Sequence, residues 1–218
     1  MMERSALTNS FIRRCTILLV PLALGLPTPI ASGRPTRDGV AEEEYAVYDV
    51  VIERLYIQRR SASLIVISKE TESGPRPEPG KGPIIGVADP EEMKGALKLI
   101  ADLTPAYQAR NEEPAKLKEL FKLSADYVLV SKKKGLGLLA KDEGETKHFN
   151  KAYPGSETVG LVGLSRVGFN ADHTQALLYA VHWCGSGCGD GMFVLLRKAN
   201  NQWNIRYETI ASVAGTGT

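Results

Sequence analysis

Apolar residues recur along this chain with two different periods. From Glu42 to Gln58 they fall at Tyr45, Tyr48, Ile52, Leu55 and Tyr56, the spacing that lines one face of a helix. Ser63-Leu64-Ile65-Val66-Ile67-Ser68 is short and β-branched, and predicts a strand. Glu72 to Val87 holds Pro75, Pro77, Pro79 and Pro83 among Gly74, Gly80, Gly82 and Gly86, so a Pro/Gly-rich loop without regular structure is expected over 72–88. A loop of that length is usually functional or mobile. Asp89-Pro90-Glu91-Glu92 then marks a helix start. Asp89 can cap, Pro90 suits the first helical position, and two glutamates favour the positive end of the dipole. Met93, Leu97, Ile100 and Leu103 form the stripe of this helix, and Thr104-Pro105 is expected to end it. A second short helix is expected over Pro114 to Leu123, burying Leu117, Leu120 and Phe121. Tyr127 to Val130 reads as a strand, and Lys141 to Tyr153 as polar and irregular.

The period changes in the last sixty or so residues. Val159 to Phe169, Gln175 to Trp183, Met192 to Lys198 and Trp203 to Val213 read as four strands. They are separated by Asn170-Ala171-Asp172-His173, by a glycine-rich loop with two cysteines, and by Asn200-Asn201. Trp203, Ile205 and Tyr207 alternate with Asn204, Arg206 and Glu208, which predicts one wet face. Short separators imply antiparallel neighbours. The expected fold class is therefore α+β, a C-terminal four-stranded antiparallel meander covered by N-terminal and central helices. A cone-like α+β fold would satisfy the same pattern.

The N-terminus bears on compartment. Met1 to Arg14 is polar and ends in Arg13-Arg14, Cys15 to Leu26 is apolar except at Thr16, Pro21 and Gly25, and Ile30-Ala31-Ser32-Gly33 supplies small residues. That is the order of a secretory signal, with cleavage expected after Ser32 or Gly33. The apolar run is shorter than the ~20 residues that span a bilayer. The division expected is a signal over 1–33 and one domain over 34–218, exported to a periplasm or secreted, without a transmembrane segment once the signal is removed. The charge balance changes with it. The formal +2 of the chain resides in residues 1–33, where Arg4, Arg13 and Arg14 face Glu3 alone. The remainder is neutral, so a basic nucleic-acid-binding surface loses its support. The local run Lys132-Lys133-Lys134 reads as a solvated strand end or turn.

Catalytic patterns are weak throughout. Gly163-Leu164-Ser165-Arg166-Val167 lacks the second glycine of a nucleophile elbow. Ser131 and Lys134 have the serine-x-x-lysine spacing without its companion motifs, and Pro79-Gly80-Lys81-Gly82 lacks the hydroxyl residue of a phosphate loop. Glu42-Glu43-Glu44 is explained by the dipole of the helix it opens. No catalytic residue and no cofactor is assigned.

Chemistry concentrates in His182-Trp183-Cys184-Gly185-Ser186-Gly187-Cys188-Gly189-Asp190-Gly191. In an oxidising compartment Cys184 and Cys188 default to a disulfide, and the glycines allow the positive φ angles a tight ring needs. A metal site is the alternative, with His182, Cys184, Cys188 and Asp190 as ligands, although the spacing matches no familiar zinc pattern.

Leu164-Ser165-Arg166-Val167-Gly168-Phe169-Asn170, Gln175-Ala176-Leu177, Cys184-Gly185, Cys188-Gly189, Val194-Leu195-Leu196 and Asn201-Gln202-Trp203 form a pattern, joined by Tyr45-Ala46-Val47-Tyr48. It resembles an uncharacterised family of bacterial exported proteins. The resemblance covers the C-terminal third well, implies a bacterial origin and a single domain, and brings no activity with it. Two functions of different class follow. The favoured one is a non-catalytic exported domain binding a small molecule or another envelope component, through a rim formed by Trp183, Met192 and Phe193. The other is a metal-binding protein or metal-dependent hydrolase built on His182, Cys184 and Cys188.

Overall fold

A computed structural model describes residues 40–140 and 146–213, with the side chains of Ser212 and Val213 left aside. The expected signal over 1–33, the lead-in up to residue 39 and the start of the 141–153 segment lie outside the described residues. Helix α1 spans Glu42–Ile52 and passes into a π-helical turn at Glu53–Gln58. Strand β1 (Leu64–Ser68), strand β2 (Ile84–Ile85), helix α2 (Pro90–Arg110) and strand β3 (Asp126–Val130) follow. Next come helices α3 (Lys132–Leu139) and α4 (Lys147–Ala152), then β4 (Leu161–Leu164), β5 (Gly168–Phe169), β6 (Gln175–Gly185), β7 (Cys188–Ala199) and β8 (Gln202–Val213).

The expected four-stranded meander is corrected to an eight-stranded mixed sheet of order β2-β8-β7-β6-β4-β1-β3, with β5 paired to β6. Strand β1 runs parallel to both β3 and β4, whereas β4, β6, β7, β8 and β2 pair antiparallel in turn. Val159 to Phe169 is two short strands rather than one, because the chain turns at Ser165-Arg166-Val167. Parallel neighbours need crossover connections, which α2 supplies between β1 and β3, while α3 and α4 lie in the connection that carries the chain from β3 over β1 to β4.

Both faces of the sheet are covered, which is why its central strands read as nearly continuous apolar runs. On β6, Ala176, Leu178 and Ala180 join Tyr48, Val51, Ile52 and Leu55 of the α1 side. Leu177, Tyr179 and Val181 join Ile100, Leu103 and Tyr107 of α2 on the opposite side. A third cluster joins Val66, Val130 and Leu161 to Leu139, Phe149 and Tyr153 of α3, α4 and the turn that follows.

Local expectations failed where tertiary contacts outweighed sequence signals. Helix α2 starts as expected, with Asp89 accepting hydrogen bonds from the Glu91 and Glu92 amides at 2.8 and 2.9 Å. It runs through Pro105, however, to Arg110. The turn beyond the proline is anchored by buried Tyr107. Asn111 Nδ2 holds it too, donating to the carbonyl oxygens of Tyr107 and Arg166 at 2.8 and 3.0 Å. Proline costs an internal helix ~3 kcal/mol, which such anchoring offsets.

The helix expected over Pro114 to Leu123 is absent, since its amides bond elsewhere. Leu117 N donates to Lys69 O at 2.7 Å, Lys118 N to Tyr45 Oη at 2.6 Å and Lys122 N to Asp49 Oδ1 at 3.0 Å. Leu117 and Phe121 are buried there as expected, but Leu120 is exposed. The lysine run is the first turn of α3, capped by Ser131 through the Lys134 amide, and residues 147–152 of the supposedly irregular segment form α4.

Strand β8 also departs from simple alternation. Tyr207 stands opposite Leu195 and Ile205 opposite Leu196, leaving Arg206 as an extra residue in a β-bulge. A bulge reverses the faces beyond it. Trp203 and Ile205 therefore pack on the α1 side, Tyr207 on the α2 side, and Glu208 turns inward on the α1 side, where it is buried. The predicted wet face is real only at Asn204 and Arg206.

Candidate functional site: a pocket under the π turn

The π turn is followed by Arg59 and Arg60, and together they deliver four side chains to one place. Leu55, Tyr56, Arg59 and Arg60 meet Asp190 and Met192 of β7 around a cavity of about 340 Å³. Such turns widen the helical ring by one residue and recur at functional sites. The size falls within the range of small-ligand pockets, a few hundred Å³.

The floor is set by strand register. His182 stands directly opposite Asp190 in the β6–β7 ladder, and the two side chains meet, with His182 Nε2 3.2 Å from Asp190 Oδ2. His182 is buried, and its ring meets that of Tyr56 edge to face at 6.0 Å between centroids. His182 Nδ1 lies 2.9 Å from Val159 O. A carbonyl only accepts, so Nδ1 carries the hydrogen. Nε2 is close enough to Asp190 for an ion pair but off the line of a hydrogen bond, and has no hydrogen-bond partner.

The arginines are held differently. Arg59 makes a bidentate pair with Glu208, 2.6 Å on each arm, and this hydrogen bonding raises the guanidinium's pKa against the effect of its burial. Arg60 gives Asp190 Oδ2 one bond from Nη2, at 3.1 Å. The Asp190 carboxyl is held below its ordinary range, first by the His182 imidazole and then by the charge of Arg60, against its partial burial. Tyr56 Oη is buried and unpartnered. Burial, reinforced by the charge of Asp190, drives its pKa far up, so it stays a neutral phenol.

Of the residues singled out from the sequence, His182 and Asp190 come together here and Met192 joins them. Trp183 and Phe193 lie across the sheet, against the α2-side core, so the expected rim is divided between two faces. Cys184 and Cys188 form a disulfide at the tip of the β6–β7 hairpin, with Cα atoms 5.1 Å apart. Gly185 and Gly187 supply positive φ angles of 127° and 68° in the ring. A disulfide offers no thiolate to a metal, and no group of three or more His, Cys, Asp or Glu is placed to hold an ion among the described residues. Ser131 spends its hydroxyl on the α3 cap, and Lys134 Nζ lies over Tyr153, 5.8 Å from the ring centroid, so that pair is not assembled for catalysis.

Sequence reasoning missed Tyr56, Arg59, Arg60 and Glu208. Tyr56 reads as one more core position of a helix, and nothing local announces the π turn. Glu208 reads as solvent-facing until the bulge is known. The adjacent arginines at the end of an apolar stripe were the one available signal.

A second polar centre is built on a buried carboxylate. Glu44, fully buried, accepts from Arg166 Nε and Nη2 at 3.0 and 2.8 Å, from Val167 N at 3.0 Å, and from Arg110. It ties α1 to α2 and to the β4–β5 corner. No helix among the described residues is long and apolar enough to cross a membrane. Comparison with protein-family models, with curated proteins and with solved structures finds no match for this chain.

Proposed function

We propose that this protein is an exported, non-catalytic domain that binds a small molecule in the pocket lined by Leu55, Tyr56, Arg59, Arg60, Asp190 and Met192. One observation carries the reading. A buried polar atom of a lining residue, Tyr56 Oη, lacks a hydrogen-bond partner, and so does Nε2 of His182, which touches the lining residue Asp190. A buried polar group left unmade costs about 1–3 kcal/mol, a penalty that a polar ligand removes. Binding is favoured over catalysis because His182 contacts a carboxylate rather than a hydroxyl or thiol nucleophile. Export is supported by the n-, h- and c-region order of residues 1–33.

The test is a thermal-shift screen of residues 34–218 against a library of small polar molecules, repeated on Tyr56→Phe. A compound that raises the melting temperature of the parent but not of the variant supports the pocket. Hits indifferent to Tyr56, or no hit at all, refute it.

A further inference from the structure

We infer that the ligand of this pocket is a small monocarboxylic acid, bound as its anion with an apolar tail; this rests on the pocket reading above. The first argument is a count of donors and acceptors. The Arg59–Glu208 pair is closed on itself by two bonds of 2.6 Å and cancels its own charge. What remains faces a single carboxylate. Asp190 Oδ2 accepts from Arg60 Nη2 at 3.1 Å, and His182 Nε2 lies 3.2 Å from it without a hydrogen bond. Arg60 carries five N–H groups in a planar fork, and one bond to Asp190 leaves an edge of that fork for a ligand. Tyr56 adds an O–H without an acceptor. The pocket is rich in donors and short of acceptor oxygens, and a carboxylate brings two in the geometry that a guanidinium fork matches.

The second argument concerns the rest of the ligand. Leu55 and Met192 form the apolar part of the wall, and Met adapts its shape to what it contacts. An acid of a few carbons, aliphatic or aromatic, fits within about 340 Å³ with its tail on these side chains. Phosphate shares the oxyanion chemistry but fits less well. Its second negative charge faces Asp190 with no additional cation, and its remaining oxygens meet Leu55 and Met192 rather than donors. The geometry therefore assigns the acid group to Arg60 and Tyr56 Oη.

The experiment is isothermal titration of the purified protein at pH 7 with butyrate and benzoate, with butyramide and benzamide, and with inorganic phosphate. Tyr56→Phe and Arg60→Met are titrated alongside, each first checked to melt within a few degrees of the parent. The acids are expected to bind at least tenfold more tightly than their amides, which corresponds to about 1.4 kcal/mol. Each variant is expected to lose at least tenfold for the acids. Amides that match the acids while still depending on Tyr56 overturn the acid assignment and leave the pocket standing. Phosphate binding in preference to both acids moves the assignment to phosphate. If none of these five probes binds, the assignment falls, and the wider library screen on Tyr56→Phe decides separately whether the pocket falls with it.

Discussion

Replacing Glu44 by alanine removes the anion from a buried cluster and leaves two guanidiniums behind. Arg166 is the more consequential, since only 9% of its side chain is exposed and Glu44 is fully buried. Arg166 loses its bonds from Nε and Nη2, the Val167 amide loses its acceptor, and Arg110 loses its partner. Breaking a buried pair by deleting one member costs about 3–5 kcal/mol, because the surviving charge remains in a poor solvent. The lost amide bond belongs to the same disruption and is not added to it. For a domain of this size, that loss lowers the melting temperature by roughly 6–20 °C.

Urea unfolding followed by tryptophan fluorescence and circular dichroism measures the effect, with an unchanged m-value showing that the denatured state is the same. A companion variant, Glu44→Leu with Arg166→Met, removes both charges and is expected to recover most of the loss. An alanine variant within about 1 kcal/mol of the parent refutes the argument, since the cluster would then contribute no more than an exposed ion pair. The pH dependence has a definite sign. Burial raises the Glu44 carboxyl, but bonds from Arg166 and Val167 and the charges of Arg166 and Arg110 outweigh it, so its folded pKa lies below the ordinary value. The unfolded chain then holds the extra proton in acid. The contribution of Glu44 is fully present above the ordinary carboxyl range, about pH 4–5, and is lost as pH falls through the depressed value.

Serine at both Cys184 and Cys188 opens a ring of small span, and the chain-entropy relation gives a loss of about 2 kcal/mol. Thermal unfolding with and without reductant checks this, and reductant should have no effect on the variant. Tyr56→Phe deletes a buried hydroxyl that has no partner, so the unliganded protein should be as stable as the parent or slightly more so. A loss above about 1 kcal/mol in urea would reveal a hydrogen bond at that site and weaken the pocket argument. Gly168→Ala puts a methyl group 2.5 Å from the backbone N and Cα of Tyr107. Overpacking against main chain that cannot move away should cost about 1–3 kcal/mol in the same assay.

Sequence alone determined what depends on neighbours along the chain. The Asp89-Pro90 start of α2, strands β1, β6 and β7, the turn at Asn200-Asn201 and the pairing of two cysteines five positions from end to end were all legible, because capping, alternation and ring closure are local. His182 and Asp190 were legible as a pair of interest, although as metal ligands. Tertiary structure decided the rest. Helix α2 continues past Pro105 because Tyr107 and Asn111 are anchored from outside the helix. Residues 114–123 are not helical because Tyr45 and Asp49 of α1, Thr71 and the Lys69 carbonyl take their amide hydrogens. The sheet is mixed rather than a meander because β1 inserts between β3 and β4, a pairing across more than ninety residues that no local period encodes. The pocket exists only where a π turn, a bulge at Arg206 and the register of β6 on β7 coincide. Each alters which way a side chain faces, and that direction is fixed by packing across the sheet rather than by the identity of the residue.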